Sequence, residues 1–149
     1  DNHLAARAGE AGKSTSGLET AEQQIAFFTG MSDEEQVQFL QSALDATGEA
    51  GREEIGKLHH AWRSGNAQVI WDEMAIGMRD EFPAVYQRIN VDRNDAWLPQ
   101  VEAMLDAEGS GNTLVVVGAL HLVGEDGVVG KLEANGYEVE RICSACADE

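Results

Sequence analysis

The chain has 149 residues, 43% of them hydrophobic, and a formal net charge of −17 at pH 7. That length supports one domain with one core, and no apolar run approaches the length of a membrane span. The acidity excludes nucleic acid as a partner, because phosphates would be repelled, and fits a well-solvated surface that gathers cations.

The polar opening Asp1-Asn2-His3 has neither an initiator Met nor an apolar leader core, so the native start is expected upstream. Leu4 to Ala8 reads as the end of a helix, with Gly9 and Gly12 as cap and turn. Lys13 to Glu19 is a candidate short strand presenting Glu19 at its end. Thr20 and Gln23 form a capping box before a helix carrying Ile25, Phe27 and Phe28. Ser32 and Glu35 repeat the device before Val37, Leu40 and Leu44. Ile55, Leu58 and Trp62 recur at helical spacing to about Ser64, and Gly65-Asn66 closes that helix. Val69, Ile70, Glu73 and Met74 predict another, weakening at Gly77. Phe82-Pro83 opens a short helix with Val85, Tyr86 and Ile89. Asn90 to Ala107 reads as one longer helix that Pro99 should kink or split. Glu108 to Asn112 is a loop.

Thr113 to Gly118 reads as a buried strand, and Tyr137 to Ile142 alternates as a half-buried one does. Between them Val128, Val129 and Leu132 mark a helix ending at Asn135-Gly136. This predicts a right-handed β-α-β unit with parallel strands. The expected fold is therefore α/β and helix-rich, with a small, mainly parallel sheet. Two or three strands leave long open edges, so the domain is expected to be incomplete, lacking amino-terminal strands, or to pair with a second chain.

Chemistry concentrates at a few positions. His121 follows Gly118 in a G-x-x-H at the expected strand end, where ligands collect in open α/β sheets. An imidazole there serves as metal ligand or general base; a hydrogen-bonded structural histidine is the commoner case. Glu19 lies directly before a helix N-cap, where a carboxylate is favoured; an ordinary capping acid does the same. The two groups meet if both occupy ends of one sheet. Arg93 and Asn94 open the long helix, and a guanidinium at a pocket edge binds carboxylates or oxyanions; a surface salt bridge is the plainer alternative. His59-His60 is not a chelating pair, because adjacent residues face apart. Glu125 and Asp126 are read as caps of the next helix, and the three tryptophans as packing. Cys143 and Cys146 form a terminal C-x-x-C with no second pair to complete a zinc site, leaving free thiols or a local disulfide.

The segments AARAGEAGK, GLETAEQQ, VDRNDAW and VVVGALHLVGEDGVVGKLEANGYEVERI resemble, in order, the TraB/GumN family, which is related to the Tiki metalloproteases. The match is closest over Val115 to Ile142 and spans nearly the whole chain, so 1–149 is identified as the carboxy-terminal part of one such domain. The resemblance implies metal-dependent peptide hydrolysis by an α/β protein with two G-x-x-H motifs and an essential glutamate. By position, Gly118 and His121 match the second motif, Glu19 the glutamate, and Arg93 with Asn94 an R-N pair. It further implies Glu19, His121 and Arg93 as catalytic groups, Asn94 and Gly118 as substrate contacts, and Glu19 and His121 as ligands of Mn, Co or Zn. The first G-x-x-H is not in this chain; one His and one Glu under-coordinate a metal, which argues against activity of these residues alone. The partners implied are a peptide or small-molecule substrate and an amino-terminal segment of the same protein, in the periplasm or envelope; a homo-oligomer is a further expectation from the open edges. The alternative function is a non-catalytic peptide- or small-ligand-binding module.

Overall fold

The structure is a computed structural model that describes residues 2–107, 111–143 and 146. Of these, 68% are helical and none lies in a β-strand. Helix α1 (Asn2–Glu10) buries nothing. Helix α2 (Ala21–Thr29) and helix α3 (Asp33–Asp45) each start at the capping box expected from sequence, on Thr20 and Ser32. Helix α4 (Glu49–Ser64) ends on Gly65, whose φ of 73° is left-handed. A second helical run starts as α5 (Ala67–Val69), widens into the π-helix π1 (Ile70–Ile76) and closes as α6 (Gly77–Glu81).

Pro83 begins the next rod, where its missing N–H costs nothing. Helix α7 (Pro83–Tyr86) passes into the π-helix π2 (Gln87–Val91) and then into α8 (Asp92–Leu105) without a break. The long helix thus begins at Pro83 rather than Asn90, and α8 continues through Pro99 instead of splitting there. A 3-10 turn (Ala119–His121) and helix α9 (Val128–Ala134) complete the chain order. The predicted loop at Glu108 to Asn112 falls partly outside the described residues.

The β-α-β unit and its parallel sheet are not formed. Thr113–Gly118 and Tyr137–Ile142 are non-helical and share no backbone hydrogen bond. Different helices hold them. Val117 and Tyr137 pack on the α8–α9 cluster of Trp97, Val101, Val128 and Leu132, while Arg141 and Cys143 reach the end of α4 at Gly65. Leu114 is 75% exposed in the segment that read as a buried strand and Ile142 88% exposed in the one that read as half-buried, so much of their apolar surface faces solvent here. The expected strand before Glu19 is likewise an unpaired segment. A second small core joins Ala61, Ile70 and Val123. Gly124, at φ 69°, lies against the Trp71 ring so closely that no Cβ fits. No helix among the described residues is long and apolar enough to cross a membrane.

Candidate active site

Helix α8 presents Arg93, Asn94 and Trp97 from its first two turns to the inside of the molecule. Arg93 and Trp97 share a face at i, i+4, and Asn94 is fully buried beside them. Opposite stand two elements from distant parts of the chain. One is the Thr20 cap, which fixes Glu19 just ahead of α2. The other is the 3-10 turn, closed by the His121 amide donating to the Gly118 carbonyl at 3.0 Å.

Arg93 joins these elements. Its Nε donates to Glu19 Oε2 at 3.1 Å and its Nη2 to Glu19 Oε1 at 2.5 Å, a two-pronged clasp. Its Nη1 donates to the Ile89 carbonyl at 3.2 Å and lies 3.3 Å from His121 Nε2. The guanidinium sits between two aromatic faces, 5.3 Å from the Phe27 centroid and 4.9 Å from that of Trp97. Glu19, whose side chain is 9% exposed, also accepts from Gln24 Nε2 at 3.0 Å and Trp97 Nε1 at 3.3 Å.

Asn94 fixes the histidine. Its amide nitrogen donates to the Asp126 carbonyl at 2.7 Å, so its Oδ1 faces His121 Nδ1 at 2.8 Å as an acceptor. The imidazole proton therefore sits on Nδ1, and the Nε2 lone pair points toward Arg93. The ring packs on Trp97 with centroids 4.6 Å apart. Burial, then the Arg93 charge, push the His121 pKa down to about 4 against a weaker pull from Glu19, so the ring is neutral near pH 7. For Glu19, burial raises the pKa, but the hydrogen bonds and charge of Arg93, with Gln24 and Trp97, outweigh it and the net shift is downward.

The sequence argument joined Glu19 and His121 through ends of a shared sheet; a helix-borne arginine joins them instead. Glu19, Arg93, Asn94 and His121 form one network, and Gly118 supports it through its carbonyl. A Cβ on Gly118 would meet His121 Cδ2 at 3.7 Å, an ordinary contact, so no close approach demands glycine there. Glu125 and Asp126 do not cap α9, whose N-cap is Gly127, with no side-chain hydrogen bond to its first turn. Asp126 instead accepts from the Tyr86 hydroxyl at 3.0 Å; burial and that contact push the Tyr86 pKa up to about 12. Trp97, read as packing, and Phe27, placed only on the helix after the Thr20 cap, also flank the Arg93 guanidinium. Their signal was present as Trp97 four residues after Arg93, and as Phe27 eight residues after Glu19 across the capped turn.

A metal fits these residues poorly. No cluster of three His, Cys, Asp or Glu suited to a metal occurs among the described residues, and a guanidinium contacts both available donors.

No curated protein and no solved structure matches the chain significantly. A sequence model of the TraB/PrgY/gumN family matches residues 1–141, nearly the full length and including Glu19, Arg93, Asn94 and His121. The chain therefore belongs to the TraB/PrgY/gumN family.

Proposed function

We propose that Glu19, Arg93, Asn94 and His121 form the reactive centre of a hydrolase acting on peptides. The observation that carries this reading is the neutral His121 whose Nε2 lone pair is held 3.3 Å from a guanidinium. A base and a fixed cation side by side are what water attack on an acyl carbon requires. His121 takes the proton of the attacking water at Nε2. Asn94 keeps the ring in that tautomer. Arg93 stabilises the oxyanion through Nη1, which exchanges its His121 Nε2 contact for the oxyanion as that nitrogen takes the water proton, and Glu19 with the two aromatic faces holds the guanidinium still.

Glu19 and His121 are the two metal ligands this chain offers for Mn, Co or Zn. Two donors do not hold such an ion, so a metal enters the reading only with donors from elsewhere, the amino-terminal segment being the proposed source. Bound there, it would supply an acidified water. A periplasmic or envelope location is part of the same proposal, supported by the disulfide between Cys143 and Cys146, which an oxidising compartment preserves.

One observation favours a second reading. Both Glu19 oxygens and both His121 nitrogens already have partners within the protein, as in a rigid recognition surface for a peptide or small ligand. Incubating the chain with a peptide mixture, with and without Mn²⁺, Co²⁺ or Zn²⁺, separates the two. Cleavage that falls by about 100-fold or more in His121→Ala supports the hydrolase. Peptide that binds wild type and emerges intact under every condition supports the binding module. Metal affinity unchanged in both His121→Ala and Glu19→Ala would remove the ligand role.

A further inference from the structure

We propose that Cys143 and Cys146 form a redox-modified latch: as a disulfide they seat against Gly65 at the terminus of α4, and a dithiol reductant releases them. The two cysteines are disulfide-bonded across a separation of three residues. Such a small ring restricts the denatured chain far less than a long loop, so its effect is local rather than global. It is placed where a local effect counts. Gly65 caps α4 in the left-handed region at φ 73°, and a Cβ at that position would run into the sulfurs of both Cys143 and Cys146. The glycine thus serves the handedness of the cap and leaves the seat in which the disulfide rests.

A second contact converges on the same residue. Arg141 Nη2 donates to the Gly65 carbonyl, which lies at the negative end of the α4 dipole, and stands 3.7 Å from Cys146 Sγ. Cys146 Sγ is itself 3.8 Å from that carbonyl. Two sulfurs, a guanidinium and a helix-end carbonyl therefore converge at Gly65, and none of them belongs to the Glu19–Arg93–His121 network. Cys146 is exposed and Cys143 half-buried, so an attacking thiolate reaches Cys146 Sγ first. It forms a mixed disulfide there and expels Cys143 as a thiolate. The second thiol of the reductant then attacks the mixed disulfide and frees Cys146. The chain gains two electrons and two protons as its S–S bond becomes two thiols, and the dithiol loses the same and closes its own disulfide.

The test is limited trypsin cleavage after Arg141, with cleavage after the remote Lys13 as internal reference, in glutathione-disulfide buffer and in dithiothreitol. Reduction should yield two titratable thiols per chain and speed cleavage after Arg141 about tenfold, the factor carried by one lost hydrogen bond from a charged donor. The double variant Cys143→Ser, Cys146→Ser should cut at the fast rate in both buffers. Gly65→Asn tolerates the left-handed cap but pushes a Cβ into the seat, and should cut fast even when oxidised. Equal rates for oxidised and reduced wild type, free thiols in the oxidising buffer, or slow cleavage of oxidised Gly65→Asn would each overturn the latch.

Discussion

Asn94 Oδ1 lies 2.8 Å from His121 Nδ1, and this contact decides which imidazole nitrogen faces Arg93. Asn94→Asp should raise the His121 pKa well above about 4, because a carboxylate favours imidazolium. Proton NMR titration of the ring reads the shift. Asn94→Ala should cost about 1 to 3 kcal/mol in urea unfolding, since the Asp126 carbonyl and His121 Nδ1 both lose a partner. An unmoved His121 titration in Asn94→Asp would show that the ring does not use this partner.

The pH dependence of stability follows from the same ring. A folded-state pKa of about 4 against 6.5 means that the unfolded chain binds the extra proton first as pH falls. The stabilisation is complete above pH 6.5 and is lost as pH drops toward 4. Glu19, whose pKa is lowered in the fold, adds a loss in the same direction below its ordinary value of 4.5. Urea midpoints should therefore decline steadily from pH 7 to pH 4. In His121→Gln the decline between pH 6.5 and 5 should flatten.

Arg93 tests the clasp. Its side chain is 21% exposed and that of Glu19 9%, so the pair is neither fully dry nor a surface contact. Arg93→Met should cost about 2 kcal/mol, between the surface and buried limits, and should move the Glu19 pKa upward because burial is then opposed only by the Gln24 and Trp97 hydrogen bonds. Arg93→Lys keeps the charge but loses the two-pronged contact, and should recover part of the stability. Full recovery by lysine would show that charge alone holds Glu19.

Two glycines near the site should behave oppositely. Gly124→Ala puts a Cβ into the Trp71 ring at a left-handed φ, and about 2 kcal/mol or more should be lost. Gly118→Ala should change stability by less than about 1 kcal/mol, because φ is −60° and the new methyl makes only ordinary contact with His121. Thermal melts of the two variants side by side measure the contrast.

Asn90 is fully buried in π2, within reach of the Tyr86 hydroxyl, yet neither its amide nitrogen nor its oxygen makes a hydrogen bond of normal geometry. Asn90→Leu should then be neutral or stabilising by about 1 kcal/mol in chemical unfolding. Destabilisation by more than about 1 kcal/mol would show that the buried amide has partners that stabilise the fold.

Local signals carried most of what the sequence showed correctly. The Thr20 and Ser32 boxes and the Gly65 cap depend on neighbours within a few positions, whereas the contacts among Glu19, Arg93, Asn94 and His121 span from 27 to 74 positions. The sheet failed because Leu114 to Val117 has the composition of a strand but no partner among the described residues, and pairing is not written in one strand alone. The π-helices were illegible for a related reason. Nothing in Ile70 to Ile76 or Gln87 to Val91 breaks a helical pattern; only packing reveals the wider turn. Trp97 packs in the core as read, but its Nε1 contact with Glu19, 78 positions away, was not legible in the sequence.

The wide turn at 87–91 also sets an angular phase. Each residue in a helix advances the azimuth by about 100°, so one residue more or fewer upstream swings everything downstream by that amount. With α7 anchored by buried Val85 and Tyr86, the bulge dials Arg93 and Asn94 onto Glu19 and His121. Shortening that stretch by a single residue would leave Glu19, Arg93, Asn94 and His121 all present and aim the guanidinium at the wrong neighbour.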